Sequence, residues 1–183
     1  SFGIKDPWAL GWKHWFPDKT KIKGINQDEY LFIVLSRNPY DWLISMCRSP
    51  HHALGNLKNL QMDEFLKKEW SCVWGKYDIP WIEDDMEQEE MMHERNPDKG
   101  ERIKNVLELR NFKNREFLAL KDNVKNVYYV RYEDLLNNSV SIINDISRKF
   151  DMEIIGKPKV KASIPGVKGF SKVNLDYINN NLD

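Results

Sequence analysis

Cysteine is scarce: Cys47 and Cys72 are the only two among 183 residues, and neither stands in a C-x-x-C pair. A disulfide framework and the common cysteine-based metal sites are therefore excluded, and a reducing, cytoplasmic setting is the expectation. No charge of one sign dominates, since 28 Lys and Arg face 28 Asp and Glu. Overall charge thus gives no reason to expect nucleic acid or an acidic membrane as a partner, and any anion site must be local. No apolar run approaches the roughly 18 residues of a membrane span, and the N-terminus lacks a signal-peptide pattern. No G-x-x-x-x-G-K-[ST] phosphate cradle is present. His51-His52 have no Cys, Asp or His partners at ligand spacing, so no metal is expected.

What is present suits one globular domain over residues 1–183, with seven Trp, eight Phe and seven Tyr available for a core. Residues 31–36, LFIVLS, form a short apolar run that predicts a strand buried on both faces of a parallel sheet. A helix should follow, with Pro39 suited to its first position, Asn38 or Ser36 to its cap, and Trp42, Leu43, Met46 and Cys47 at helical spacing. Residues 61–74 predict a helix whose stripe of Met62, Phe65, Leu66, Trp70 and Val73 packs in the core. The acids from Glu83 to Glu94 read as a solvated face, with recognition of a basic substrate as the sharper alternative.

A loop over residues 96–100 leads into a long helix predicted for 101–121, with Ile103, Val106, Leu107, Leu109, Phe112, Phe117 and Leu118 on one broad side. Arg110, Lys113 and Arg115 give that helix a basic face, either solvated or turned to an anionic glycan. VYYVRY, residues 127–132, predicts a second buried strand, followed by a helix to about Phe150 with Ile142, Ile143, Ile146 and Phe150 facing inward. The tail from Lys157 reads as a loop with a short terminal helix. Two strand-to-helix units argue for an α/β fold with three αβα layers around a central, mainly parallel sheet.

The chemistry concentrates at residues 36–45. A helix N-terminus at the end of a buried parallel strand offers unpaired N–H groups and the positive end of a dipole, which together attract anions. Arg37 stands at the mouth of that helix, where a guanidinium can fork onto two phosphate oxygens, and the Ser45 hydroxyl can donate from two turns further on. The plainer alternative pairs Arg37 with Asp41 and leaves Ser45 facing a helix neighbour.

The string RNPYDWLIS resembles the R-N-P-x-D-x-x-x-S element of sulfotransferases that use PAPS (3′-phosphoadenosine 5′-phosphosulfate). In that family the Arg and the Ser hold the 3′-phosphate, which implies those roles for Arg37 and Ser45. VRYEDLLNNS, residues 130–139, is similar to the family's Y-E-D-L segment and implies that Tyr132 lies against the adenine. Upstream, GWKHWFP at 11–17 is similar to the K-x-H-x-P-like stretch that carries the family's catalytic His. The resemblance makes His14 the base that takes the acceptor's proton, work suited to imidazole because its pKa lies near neutrality. A packing histidine among tryptophans is the alternative. Lys13 is offset by one position from the family's Lys, and is either a stabiliser of the transferring group or solvated. Near the C-terminus, GVKGF at 166–170 resembles the family's R-K-G segment with Val167 in place of Arg, which implies phosphate contacts from Lys168 and Gly169.

These resemblances, over roughly residues 11–150, imply a P-loop-NTPase-like sulfotransferase fold. They also imply transfer of a sulfuryl group from PAPS to a hydroxyl or amine of a small molecule or carbohydrate, leaving adenosine 3′,5′-bisphosphate. One family signature is missing, the N-terminal P-K-S/A-G-T-T-like loop for the 5′-phosphosulfate. Because the chain opens at Ser1 without a Met, the expectation is an N-terminally truncated domain whose loop lies upstream. Without such a loop transfer would be severely weakened, since it provides much of the electrostatic stabilisation. A non-catalytic nucleotide-binding protein of the same fold and a P-loop-type kinase are the alternatives.

Overall fold

The computed structural model describes residues 16–17, 22–50, 53–72, 94–156 and 170–182. Strand β1 (Phe32–Ser36) runs into helix α1 (Pro39–Arg48), and strand β2 (Val127–Arg131) runs into helix α4 (Tyr132–Phe150). Between them lie α2 (Met62–Lys67) and α3 (Val106–Leu118), and α5 (Lys172–Asn179) closes the described chain. The two strands pair in parallel, from Phe32 beside Val127 to Ser36 beside Arg131. Both strand-to-helix junctions therefore emerge at the same sheet edge, the place where α/β folds gather ligands. The molecule is a mixed helix and strand protein with a small parallel sheet, compatible with an α/β class. No helix among the described residues is long and apolar enough to cross a membrane.

The main core lies beneath α1, α2 and α3. Leu43, Leu57, Phe65, Leu66, Ile103, Val106, Leu107 and Ile178 are fully enclosed, and Trp70, Cys72 and Leu109 nearly so. Each such Leu or Phe removed from water contributes about 2 kcal/mol before the entropy of ordering it is set against the gain. A second, smaller cluster of Ile22, Leu120 and Val124 packs on Phe32, Val34 and Val127.

The elements differ from the expectations in several places. α2 stops at Lys67 instead of reaching residue 74, because Lys68 turns extended and Trp70 N–H bonds to the Ile103 carbonyl at 3.1 Å. Trp70 thus enters the core from a connecting segment, and Cys72 bridges to Ala53. α3 begins only after Asn105, whose side chain accepts from Leu107 N–H and Glu108 N–H, so Ile103 is buried ahead of the helix. Leu118, expected inward, is 59% exposed where α3 gives way to a 3-10 turn.

Neither strand is buried on both faces. Phe32 and Val34 pack on the second cluster, but Ile33 and Leu35 on the opposite face remain more than half exposed. Of β2 only Val130 is buried. Helix α4 is amphipathic, yet Ile142, Ile143, Ile146 and Phe150 are only half-buried. It meets the sheet through Tyr128, whose hydroxyl donates to Asp145 and whose ring meets Phe150 edge-on. Asn138 departs from helical geometry and kinks α4 after its first turns.

Candidate functional site

The β1–α1 junction is built by its own residues. Pro39 occupies the first helical position, where a missing N–H costs nothing, and Asn38 is the cap. Asn38 Oδ1 accepts from Tyr40 N–H at 2.9 Å and from Asp41 N–H at 3.4 Å. Asn38 N–H donates at 2.7 Å to Glu133 Oε1, from the first turn of α4. The amides at the start of α1 are thus already bonded, so the expected backbone anion site is replaced by one that must rest on side chains. The reason is chemical: Asn is among the best N-caps, and Glu133 lies directly across the junction because Ser36 and Arg131 are register partners.

Arg37 is half-buried and its guanidinium lies 5.0 Å over the Tyr132 ring. The two residues come from different strand-to-helix units and meet because those units emerge side by side. Arg37 forms no ion pair with Asp41, and its Nε is buried without a hydrogen-bond partner. A buried donor in that state costs about 1–3 kcal/mol, which an oxyanion at this position would recover. Ser45 is exposed. Seven residues beyond Asn38, it falls on the same side of α1 as the cap, about 10 Å further along.

Arg110 completes the cluster and was not expected here. Rather than facing solvent on a basic helix surface, it is buried, donates from Nη2 to the Arg37 carbonyl at 2.7 Å, and stacks 5.1 Å over Trp42. Burial lowers its pKa while the Glu133 charge opposes that shift. Desolvation pushes the Glu133 carboxyl up, but the Asn38 N–H bond and the charges of Arg131 and Arg37 outweigh it and leave the pKa below the usual value. Glu133 Oε2 has no hydrogen bond and stands 3.6 Å from Arg131 Nε. Three guanidiniums (Arg37, Arg110, Arg131) against one carboxylate (Glu133) give these interacting groups a net charge of 3 − 1 = +2. That excess supports an anion, provided it approaches from the Arg37 side.

The remaining charges of α3 are engaged elsewhere. Glu94, expected in a solvated acidic face, is buried, accepts from Trp70 Nε1 at 3.0 Å and pairs with Lys113. Arg115 pairs with Asp98 and Glu116. The expected basic surface on this helix is consumed by internal pairs, and what revealed neither Arg110 nor Glu94 in the sequence is that their partners are distant in it. Residues 83–93 lie outside the described residues, as do His51 and His52.

His14, Lys13, Lys168 and Gly169 also lie outside the described residues. Phe170, which follows Gly169 in the chain, meets the Tyr40 ring edge-on at 5.9 Å, and the Tyr40 hydroxyl bonds to Asn179 of α5. Two surface cavities, of about 440 and 340 Å³, are lined by residues around Leu118 and Tyr129 and by residues around Ser141 and Asp145. Neither touches Arg37 or Tyr132. We favour the junction as the site on chemistry: among the described residues it alone combines an unbonded buried donor, excess positive charge and an aromatic ring. No family model, curated protein or solved structure matches the chain.

Proposed function

We propose that this chain is a PAPS-dependent sulfotransferase domain of the three-layer, P-loop-NTPase-like kind, with the nucleotide's 3′-phosphate held by Arg37 and Ser45. The observation that carries the reading is the buried, unbonded Arg37 Nε beside Tyr132, where the motif resemblance calls for a phosphate next to an adenine. Arg37 supplies the fork, Ser45 a hydroxyl donor, and Tyr132 an aromatic surface. Phe170 meets Tyr40 near the start of α1, and the motif resemblance implies phosphate contacts from Lys168 and Gly169.

PAPS, when bound, supplies the sulfuryl group. His14 accepts the proton from the acceptor's hydroxyl or amine as that atom bonds to sulfur, the sulfur–oxygen bond to the 5′-phosphate breaks, and adenosine 3′,5′-bisphosphate departs. Lys13 stabilises charge on the moving group. Small molecules and carbohydrates are the acceptor classes.

Calorimetric titration with adenosine 3′,5′-bisphosphate and with AMP tests the reading. The bisphosphate should bind at least tenfold tighter, and Arg37→Ala should erase that preference, because a charge-assisted fork is worth about 1.5–3 kcal/mol. Equal affinity for both nucleotides in the unaltered protein would contradict it.

A further inference from the structure

We infer that Arg110 and Glu133 are positioning residues that aim the Arg37 side chain by gripping the Arg37–Asn38 peptide group from both ends. The inference deepens the nucleotide reading above and rests on it for its ligand.

The carbonyl of this peptide accepts from Arg110 Nη2 at 2.7 Å, and its N–H donates to Glu133 Oε1 at 2.7 Å. Both bonds are at the short end of the N–H···O range, as expected when one partner is ionised. A cation sits at the negative end of the peptide dipole and an anion at the positive end. Turning the peptide in either direction would break both bonds together. Arg37's side chain leaves from the α-carbon directly before this group, so fixing the peptide plane fixes where the guanidinium starts.

The grip is itself braced. Arg110 is buried and lies over Trp42 in the first turn of α1, so it is packed against the helix it orients. A planar guanidinium can lie flat on the ring and donate within its own plane at the same time, a geometry that a lysine ammonium does not reproduce. Glu133 follows Tyr132, so one first turn presents both the ring beside Arg37 and the carboxylate that steadies Arg37's backbone. Neither Arg110 nor Glu133 needs to touch a nucleotide. A purely structural pair would alter stability without altering ligand preference, and that difference can be measured.

The test is a double-mutant cycle read by calorimetry with adenosine 3′,5′-bisphosphate and AMP. Arg110→Met should lower the bisphosphate-over-AMP preference about tenfold, the worth of one charge-assisted hydrogen bond. Arg110→Lys should restore only part of it, and Arg110→Met should remove nothing more in an Arg37→Ala background. An unchanged preference in folded Arg110→Met protein, or an equal loss in both backgrounds, overturns the inference. Should Arg110→Met not fold, the near-isosteric Glu133→Gln carries the same cycle with the same outcomes. If the unaltered protein shows no preference, the nucleotide reading falls, and hydrogen exchange at the Asn38 amide decides the positioning claim alone. Exchange should quicken by about tenfold in Arg110→Lys and Glu133→Gln; unchanged exchange in both overturns it.

Discussion

Helix α3 carries two cations three positions apart, Arg110 buried and Lys113 half-buried, and they are used in opposite ways. Lys113 meets Glu94, whose other oxygen takes the Trp70 indole N–H, so the carboxylate's charge is compensated within the core. The contact at Glu94 Oε1 is an ion pair without good hydrogen-bond angles, yet the ammonium lies directly against it and compensates its charge. Arg110 instead supports a junction that remains open, where Arg37 Nε and Glu133 Oε2 both lack a hydrogen bond. The first arrangement is closed and holds the fold. The second leaves bonding capacity for something that binds.

The contrast can be broken most violently at the closed end. Glu94→Ala would remove the carboxylate that faces Lys113 and leave the Trp70 N–H without its acceptor, and should cost about 3–5 kcal/mol in urea denaturation. Nucleotide preference in the protein that remains folded should be unchanged. At the open end the pattern reverses: Arg37→Ala should reduce bisphosphate affinity about 10- to 100-fold without lowering stability, because it removes a buried donor that has no partner. A smaller effect sharpens the role of the cap. Asn38→Ala releases two amides at the start of α1 and should cost about 1 kcal/mol in thermal or urea unfolding.

The smallest effect is a pH dependence. The Glu133 carboxyl titrates lower when folded than its ordinary value of 4.5, so the unfolded chain takes up protons first as pH falls. Its stabilising contribution is therefore complete above about pH 4.5 and fades as pH drops through the lower folded value. Stability measured in urea between pH 7 and 3 should fall less steeply for Glu133→Gln than for the unaltered chain. Parallel curves would show that the Asn38 bond does not depend on Glu133's charge.

Much of the junction was legible in local sequence. Pro39 and Asn38 announce the start of α1 and LFIVLS announces β1, and the Arg37 guanidinium lies 5.0 Å over the Tyr132 ring where the two strand-to-helix units emerge. The rest depends on pairings between distant residues. Asn38 and Glu133 are 95 residues apart, and Arg110 and Arg37 are 73 apart, so no window shows that the helix amides are taken or that Arg110 is buried. Glu94 looks like its acidic neighbours until Trp70 and Lys113 close around it. Helical spacing also extended α2 too far, since Trp70 falls on the stripe but obtains its backbone bond from Ile103.

The most direct measurement is a nitrogen NMR titration of the Arg37 side chain with adenosine 3′,5′-bisphosphate. Its buried Nε–H, unbonded in the free protein, should shift and become protected from exchange as the bisphosphate is added, and AMP should leave it unmoved. A bisphosphate that binds without disturbing the Arg37 Nε–H, or an equal response to AMP, would contradict a 3′-phosphate site at this junction.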